Sequence, residues 1–283
     1  MFPDWRHPFK ETDTDLIPEG WKYEKPSGDA DSEIVNESGD IGFFPSPNSE
    51  LYTKEALSNP YVWVMRTRLS AGKVAQYFVR ATHEKINNVR FTDTDGTKIT
   101  YKDDDGNDVE KDVLGSNGIS FRPHGTSVYI FIKQYDPSAP KKLNNKVVKI
   151  DDVANFIFPR GEYQDVAVVD DGKSVTIYFG DDLVVKISFS EKKKYDISNE
   201  EFYSKATVTG KDGSVLANVD NALISTKSVL CIAANDIIGV GEIGYTEYKI
   251  ESNPQTVDTA AFMAFGVVML LGMVVLKRRT IEV

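Results

Sequence analysis

Apolar and polar residues alternate with a period of two through most of this chain, from Trp21 to Ile250. The clearest case is the stretch 174–179, which is followed by a Gly-Asp-Asp turn signal and a second alternating stretch at 185–189. Alternation of this kind places successive side chains on opposite faces of a β-strand. The pattern therefore predicts a β-hairpin in this part of the chain.

Other stretches show the same alternation and are separated by turn signals. The further strand candidates are 61–69, 73–80, 128–133, 146–150 and 165–169. Asp-Gly pairs, which favour tight turns, occur at 95–96, 105–106, 171–172 and 212–213. The run Glu191-Lys192-Lys193-Lys194 is interpreted as a solvated loop. Strand candidates spaced about 8 to 15 residues apart, without a long helical period before the C-terminal tail, predict an all-β sandwich.

Composition narrows the classes of partner. The chain has 283 residues and a formal net charge of −10, and an acidic surface repels phosphate backbones, so nucleic acid is not expected as a partner. Without the tail, roughly 250 residues remain, which is enough for one large domain. The single cysteine, Cys231, cannot form an internal disulfide and lies in an apolar run, so we expect it to be buried.

The C-terminal tail contains an uncharged apolar segment at 260–276 that is followed directly by Lys277, Arg278 and Arg279. A segment of this length can cross a bilayer, and basic residues next to a span stay on the cytoplasmic side. The pattern predicts a transmembrane helix at 260–276 and a cytoplasmic basic tail at 277–283, with the larger N-terminal part outside. A soluble hydrophobic helix and a tail-anchored cytosolic protein are the alternatives. The N-terminus shows no signal peptide, so either the chain is a piece of a longer surface protein or the expectation of export is wrong.

The segment before the span resembles the cell-wall sorting signal of Gram-positive surface proteins. Asn253, Pro254, Gln255 and Thr256 are similar to the NPQT form of that signal, and they stand in a linker, 251–259, that precedes the span and the basic stop. The resemblance implies cleavage after Thr256 by a sortase and covalent attachment to cell-wall peptidoglycan. Val257 departs from the glycine or asparagine that is more usual there. The alternative is a plain single-pass anchor.

Three segments of the larger part resemble the concanavalin A-like (laminin G-type) jelly roll. They are 16–21, where the sequence reads LIPEGW, 163–179, which matches a hairpin of that family, and 239–245, which is similar to its closing strand. The resemblance implies an all-β jelly-roll sandwich over 16–250, preceded by an N-terminal extension at 1–15. These motifs concern the fold more than the activity.

Catalytic patterns are not found in the sequence. Glycosidases with this jelly roll carry a Glu-x-Asp-x-(x)-Glu strand, which supplies the paired carboxylates that glycosyl transfer needs, and this chain has none. The three histidines, His7, His83 and His124, are scattered without metal-ligand spacing. We therefore expect a domain that is not an enzyme.

Two groups of residues are candidates for ligand binding. Asp103, Asp105 and Asn107 belong to an acidic run that could bind calcium, although a hairpin turn is the stronger interpretation. Trp21, Trp63, Tyr129 and Tyr178 could stack on a sugar ring, and the two tryptophans have core packing as their alternative. The sequence thus predicts a surface-anchored binding module for carbohydrate, of lectin or adhesin type. The alternatives are a surface glycoside hydrolase or its accessory domain, and a passive stalk.

Overall fold

The alternating stretches form antiparallel strands in two facing sheets. The computed structural model describes residues 7–10, 16–24, 33–37, 40–44, 49–69, 75–83, 100–102, 108–110, 117–124, 126–139, 142–151, 153, 163–234 and 238–248. The strands in this part of the chain are β1 His7–Pro8, β2 Trp21–Glu24, β3 Glu33–Glu37, β4 Asp40–Phe44, β5 Ser49–Thr53, β6 Tyr61–Leu69, β7 Ala75–Ala81, β8 Thr100–Lys102, β9 Asp108–Glu110, β10 Ile119–His124, β11 Ser127–Tyr135, β12 Leu143–Ile150, β13 Gln164–Asp170, β14 Ser174–Phe179, β15 Asp182–Lys194, β16 Glu201–Gly210, β17 Val215–Ser225, β18 Val229–Ala234 and β19 Ile238–Glu247.

Sheet I and sheet II are defined by the order of their strands. Sheet I runs β3-β4-β19-β6-β13-β14-β15-β16-β17, with the short β1 also paired to β19. Sheet II runs β2-β5-β18-β7-β10-β11-β12. The two sheets meet where Gln134 of β11 pairs with Ala222 of β17. Strands β8 and β9 form a separate hairpin.

The chain passes repeatedly from one sheet to the other. Strands β5, β6 and β7 lie in sheets II, I and II, and β17, β18 and β19 lie in sheets I, II and I. As a result, β18 lies between β5 and β7, and β19 lies between β4 and β6. This return of the last strands to the middle of both sheets is jelly-roll connectivity. The prediction of an all-β jelly-roll sandwich is confirmed.

The hydrophobic core lies between the two sheets and is formed by the side chains of alternate residues along their strands. Trp63 and Ile177 of sheet I and Tyr77, Phe121 and Ile130 of sheet II belong to the same buried cluster. The Tyr77 ring stacks on Phe121 with centroids 5.0 Å apart. Packing of two inner faces in this way is the main source of stability in a β-sandwich.

A buried ion pair joins the two sheets inside this core. The Arg80 guanidinium of β7 donates from Nε to Oδ2 of Asp170 on β13, at 2.5 Å, and from Nη2 to Oδ1, also at 2.5 Å. Both residues are almost inaccessible, at 4% and 0% exposure. Arg80 Nη1 also donates to the carbonyl of Thr226 at 2.9 Å, and the Gly172 N–H donates to Asp170 Oδ1 at 2.8 Å. The pair is thus bidentate and hydrogen-bonded on both sides, as a buried pair must be.

Several boundaries agree with the sequence and others differ. Strand β6 occupies 61–69 as expected, and β14 and β15 form the predicted hairpin. Cys231 is buried, as expected. The lysines 192–194 are solvated but lie in strand β15, because they pair with β16, and this corrects the expectation of a loop.

Part of the segment expected to be an N-terminal extension packs with the sandwich. His7–Pro8 pairs with β19, and Phe9 is buried with its ring 5.2 Å from that of Phe43. Residues 7–10 therefore belong to the folded domain rather than to a separate 1–15 extension.

No helix within the described residues is long and apolar enough to cross a membrane. The predicted span at 260–276, the linker 251–259 and the basic tail 277–283 all lie outside the described residues.

Candidate functional site

The outer face of sheet II carries a continuous set of polar and aromatic side chains. Leu51, Tyr77, Phe121, Ile130 and Val148 point into the core. Because side chains alternate along a strand, their neighbours on the same strands point away from it. These outward neighbours come from all seven strands of the sheet, so we consider them as one surface.

The strand registers arrange some of these outward residues in one line across the sheet, here called the polar row. Glu24 pairs with Glu50, Glu50 with Ala233, and Ala233 with Gln76. On the next two strands, Arg122 pairs with Tyr129 and Tyr129 with Lys149. Phe121 pairs with Tyr77, so Arg122 lies one residue further along, level with Gln76. The polar row is therefore Glu24, Glu50, Gln76, Arg122, Tyr129 and Lys149. At about 4.8 Å per strand it spans roughly 29 Å.

Exposure rises from the middle of the polar row toward β12. Glu50 and Gln76 are 5% and 2% exposed, and the Gln76 amide donates to Ser120 Oγ at 2.8 Å. Arg122 and Tyr129 are half-buried, while the Lys149 side chain is 46% exposed. Val147, which is 47% exposed, lies beside them on the same face. The end of the row on β10, β11 and β12 is thus the part open to a ligand.

Arg122 is held between aromatic rings at this open end. Its guanidinium carbon lies 5.3 Å from the Tyr129 ring centroid and 5.2 Å from that of Phe131. The two rings are themselves stacked, with centroids 6.4 Å apart, and His124 meets Tyr129 edge-on at 6.1 Å. Both contacts are at cation–π distance, so the aromatic neighbours fix the position of the charge.

Lys149 at the end of the polar row is paired with an acid. Its Nζ lies 2.5 Å from Asp151 Oδ1, and Ser127 Oγ donates to the same oxygen at 2.7 Å. The hydrogen bond from Lys149, followed by that from Ser127, lowers the pKa of Asp151. The charge of Lys149 is therefore already balanced.

The other end of the polar row holds two facing carboxylates. Glu24 and Glu50 are directly opposite on adjacent strands, a position in which Cβ atoms are about 5 Å apart. Lys22 Nζ lies 2.6 Å from Glu24 Oε1. Burial, and then the charge and hydrogen bonding of Glu24, raise the pKa of the neighbouring Tyr52 phenol. Such a pair has the residue types of a glycosidase site, although Glu50 is largely closed to solvent.

Two of the four aromatic candidates are core residues. Trp21 is 3% and Trp63 0% exposed, and their rings are 6.4 Å apart inside the sandwich. Trp21 also meets Tyr245 edge-on at 6.0 Å. Neither ring has a face available to a sugar. Both tryptophans are therefore core residues, which was the alternative interpretation from the sequence.

The other two aromatic candidates lie on opposite sides of the molecule. Tyr129 is on the outer face of sheet II, whereas Tyr178 alternates with the core residues Ile177 and Phe179 and so faces outward from sheet I. Both are half-buried. The structure therefore does not bring the four predicted aromatics together, and it leaves Tyr129 in a polar setting with Arg122 and Lys149.

The candidate calcium ligands Asp103, Asp105 and Asn107 lie outside the described residues. The strands on either side, β8 and β9, pair antiparallel with Lys102 opposite Asp108. Within the described residues, no group of three or more His, Cys, Asp or Glu is arranged to hold a metal ion.

The sorting residues Asn253, Pro254, Gln255 and Thr256 and the basic stop Lys277, Arg278 and Arg279 also lie outside the described residues. They remain predictions from the sequence.

Comparisons with known proteins concern the architecture only. No protein-family model matches the chain, and no curated protein matches it. Similar solved structures include a glycoside hydrolase family 16 endo-glucanase from Bacteroides ovatus, with a TM-score of 0.43, 9% identity, and coverage of 86% of this chain and 99% of that chain. A carbohydrate-binding module from Bacillus subtilis has a TM-score of 0.36 at 8% identity, covering 81% of this chain and 96% of the other. A legume lectin-like domain from Entamoeba histolytica has a TM-score of 0.38 at 9% identity, covering 81% and 90%. At these TM-scores, the similarities carry no argument about what this chain binds.

Two features of the site were missed by the sequence analysis. Arg122 was not a candidate because the aromatic rings around it belong to another strand, Ser127–Tyr135. The Glu24–Glu50 pair was missed because its members belong to two strands that are paired across the sheet. The alternation alone assigns each residue to a face but does not give the pairing of strands that sets residues side by side.

Proposed function

We propose that this chain is a carbohydrate-binding module displayed on a Gram-positive cell surface by its C-terminal sorting signal. The observation that carries the binding function is the open end of the polar row. There, Tyr129 offers an aromatic ring beside the hydrogen-bond donors of Arg122 and Lys149. Sugar recognition needs such a combination, because pyranose faces pack on aromatic rings while hydroxyl groups need polar partners.

A glycan array tests the binding function. The full chain, labelled and kept in detergent micelles, is applied in calcium and in excess chelator. We expect binding to at least one class of glycan. The comparison of the two conditions shows whether binding depends on calcium, for which Asp103, Asp105 and Asn107 are the candidate ligands from the sequence. Absence of binding to every glycan in both conditions would contradict the proposal.

The display function rests on the order of three sequence parts: Asn253–Thr256, the apolar segment 260–276 and the basic residues 277–279. In this proposal, the span and the basic stop hold the motif at the outer face of the membrane until a sortase cleaves after Thr256. The acyl group then passes to an amine of the peptidoglycan, and the mature protein no longer carries its membrane helix.

Expression in a sortase-positive host tests the display function. Thr256→Ala is expected to remove the protein from the wall fraction and leave it in the membrane fraction. Thr259→Ala, three residues further on, is the matched control and should leave wall attachment unchanged. Wall attachment of the Thr256→Ala variant would refute the sorting proposal.

The Glu24–Glu50 pair favours a second candidate function, a surface glycoside hydrolase. The two carboxylates face each other on the outer face of sheet II, at the opposite end of the polar row from Tyr129. Retaining glycosidases use a pair of carboxyl groups separated by about 5 Å. Release of reducing ends from any glycan that binds, lost in Glu50→Gln, would favour this function. Binding without turnover would favour the module.

A further inference from the structure

We infer that the glycan bound at the open end of the polar row carries a carboxylate, as a hexuronic acid does, and that Arg122 recognises it. This inference rests on the proposed carbohydrate-binding function and adds the chemical class of the ligand. It follows from the state of the Arg122 guanidinium in the folded chain.

The guanidinium of Arg122 has hydrogen-bond donors that the fold does not use. An arginine side chain has five N–H donors and no acceptor. Within the described part of the chain, the buried Nε of Arg122 has no hydrogen-bond partner, and no carboxylate forms an ion pair with the side chain. This Nε is closed to solvent, so it is not the atom that a ligand would meet. The donors of this half-buried side chain that an acceptor from outside can reach are those on its terminal Nη1 and Nη2 groups.

Another arginine of the sandwich shows the contrast. Arg80 has both edges satisfied, by the carboxylate of Asp170 and by the carbonyl of Thr226. Arg122 instead has its position set by the Tyr129 and Phe131 rings, at 5.3 and 5.2 Å. Contacts through the flat faces of a guanidinium leave its terminal Nη1–Nη2 edge available, and two parallel N–H groups on that edge match the two oxygens of a carboxylate.

The surrounding charges favour a single carboxylate over a dense polyanion. Asp151, an acid close to this end of the row, is already bound to Lys149 and Ser127, so it does not compete for Arg122. The chain as a whole carries a net charge of −10, which repels highly charged polymers at long range. A mostly neutral oligosaccharide with one or a few uronic acids avoids that repulsion and still supplies an anion to the guanidinium.

Binding of matched oligosaccharides to the full chain in detergent micelles tests the inference. The probes are an oligosaccharide with a single hexuronic acid, its methyl ester, a sulfated oligosaccharide and a neutral one of the same length, measured by calorimetry. We expect the oligosaccharide with the free hexuronic acid to bind about tenfold or more tightly than its methyl ester, because hydrogen bonds to charged groups contribute about that factor. Arg122→Gln is expected to remove this preference, and Arg122→Lys to restore only part of it, since lysine keeps the charge but loses the fork.

Two controls separate the outcomes. Lys211→Gln removes an equal charge from the exposed turn between β16 and β17, and should leave the preference unchanged. Thermal midpoints show whether each variant folds, and Arg122→Lys keeps the test valid if Arg122→Gln does not. Equal binding of the ester and the acid, or tighter binding of the sulfated probe, would overturn the carboxylate inference while leaving the binding function intact. Failure of all four probes, together with an empty glycan array, would contradict both.

Discussion

Replacing Asp170 by asparagine removes one charge from the ion pair that joins the two sheets. The side chain keeps its shape, so the change leaves Arg80 as a buried cation without a carboxylate. Arg80 is 4% exposed, and it makes two 2.5 Å contacts to Asp170. Breaking one partner of such a pair costs about 3–5 kcal/mol of unfolding free energy. That is a large share of the stability of an ordinary domain.

Urea denaturation followed by tryptophan fluorescence measures this cost. The matched control is Asp196→Asn, which breaks the 2.5 Å pair of Asp196 with Lys142, where both side chains are about half exposed. Exposed pairs are screened by solvent, so the control should shift the denaturation midpoint very little. A loss below about 1 kcal/mol for Asp170→Asn would refute the reasoning, because a buried pair would then behave as an exposed one.

Three further predictions concern charge and backbone strain in the sandwich. Burial lowers the pKa of Lys133 from 10.5 to about 8, so between these pH values the unfolded chain binds more protons than the folded one, and the unfolding free energy should rise with pH by up to about 3 kcal/mol. Urea midpoints at pH 8, 9 and 10 should show this rise in the wild type and not in Lys133→Met, and an equal rise in both would exclude Lys133 as the cause. Burial raises the pKa of Asp170, and Arg80→Met removes the positive charge that opposes this effect. Because a buried carboxylate without its partner is most costly where it would be ionised, the variant should lose more unfolding free energy at pH 7 than at pH 4, measured by urea denaturation, and an equal loss at both would contradict the prediction. Gly118 has φ +90°, and an added Cβ would lie 2.8 Å from the carbonyl oxygens of Arg80 and Val79. Gly118→Ala should therefore lower the unfolding free energy by about 1–3 kcal/mol, and an unchanged urea midpoint would contradict the predicted backbone strain.

The sheet architecture could be predicted because alternation is a local property of the sequence. Strand β6 and the β14–β15 hairpin appear in the sequence as unbroken alternation between turn residues. The extension of β15 through 192–194 could not be predicted in this way, because three lysines in a row have no alternation and their pairing with β16 sets the strand. The same applies to His7–Pro8, which is a strand only through its pairing with β19.

The site was predicted less well, because the chemistry depends on contacts between strands. An aromatic residue in an alternating stretch can face the core or the solvent. The sequence made candidates of both Trp63, which is buried in the core, and Tyr129, which is half-buried on the outer face. Arg122 became a candidate only when the register placed it beside Tyr129. Local periodicity gives the two faces of a strand, but which face is buried depends on the tertiary fold.

The central claim is that the outer face of sheet II binds carbohydrate, and a comparison of two tyrosine variants tests it most directly. Tyr129→Ala removes a half-buried ring from that face, and Tyr178→Ala removes a half-buried ring from the outer face of sheet I. With the glycan identified on the array, the claim predicts a loss of affinity of up to about tenfold for Tyr129→Ala, the effect of one stacking ring. It predicts wild-type affinity for Tyr178→Ala. Unchanged affinity in a folded Tyr129→Ala variant, or a loss confined to Tyr178→Ala, would contradict the claim.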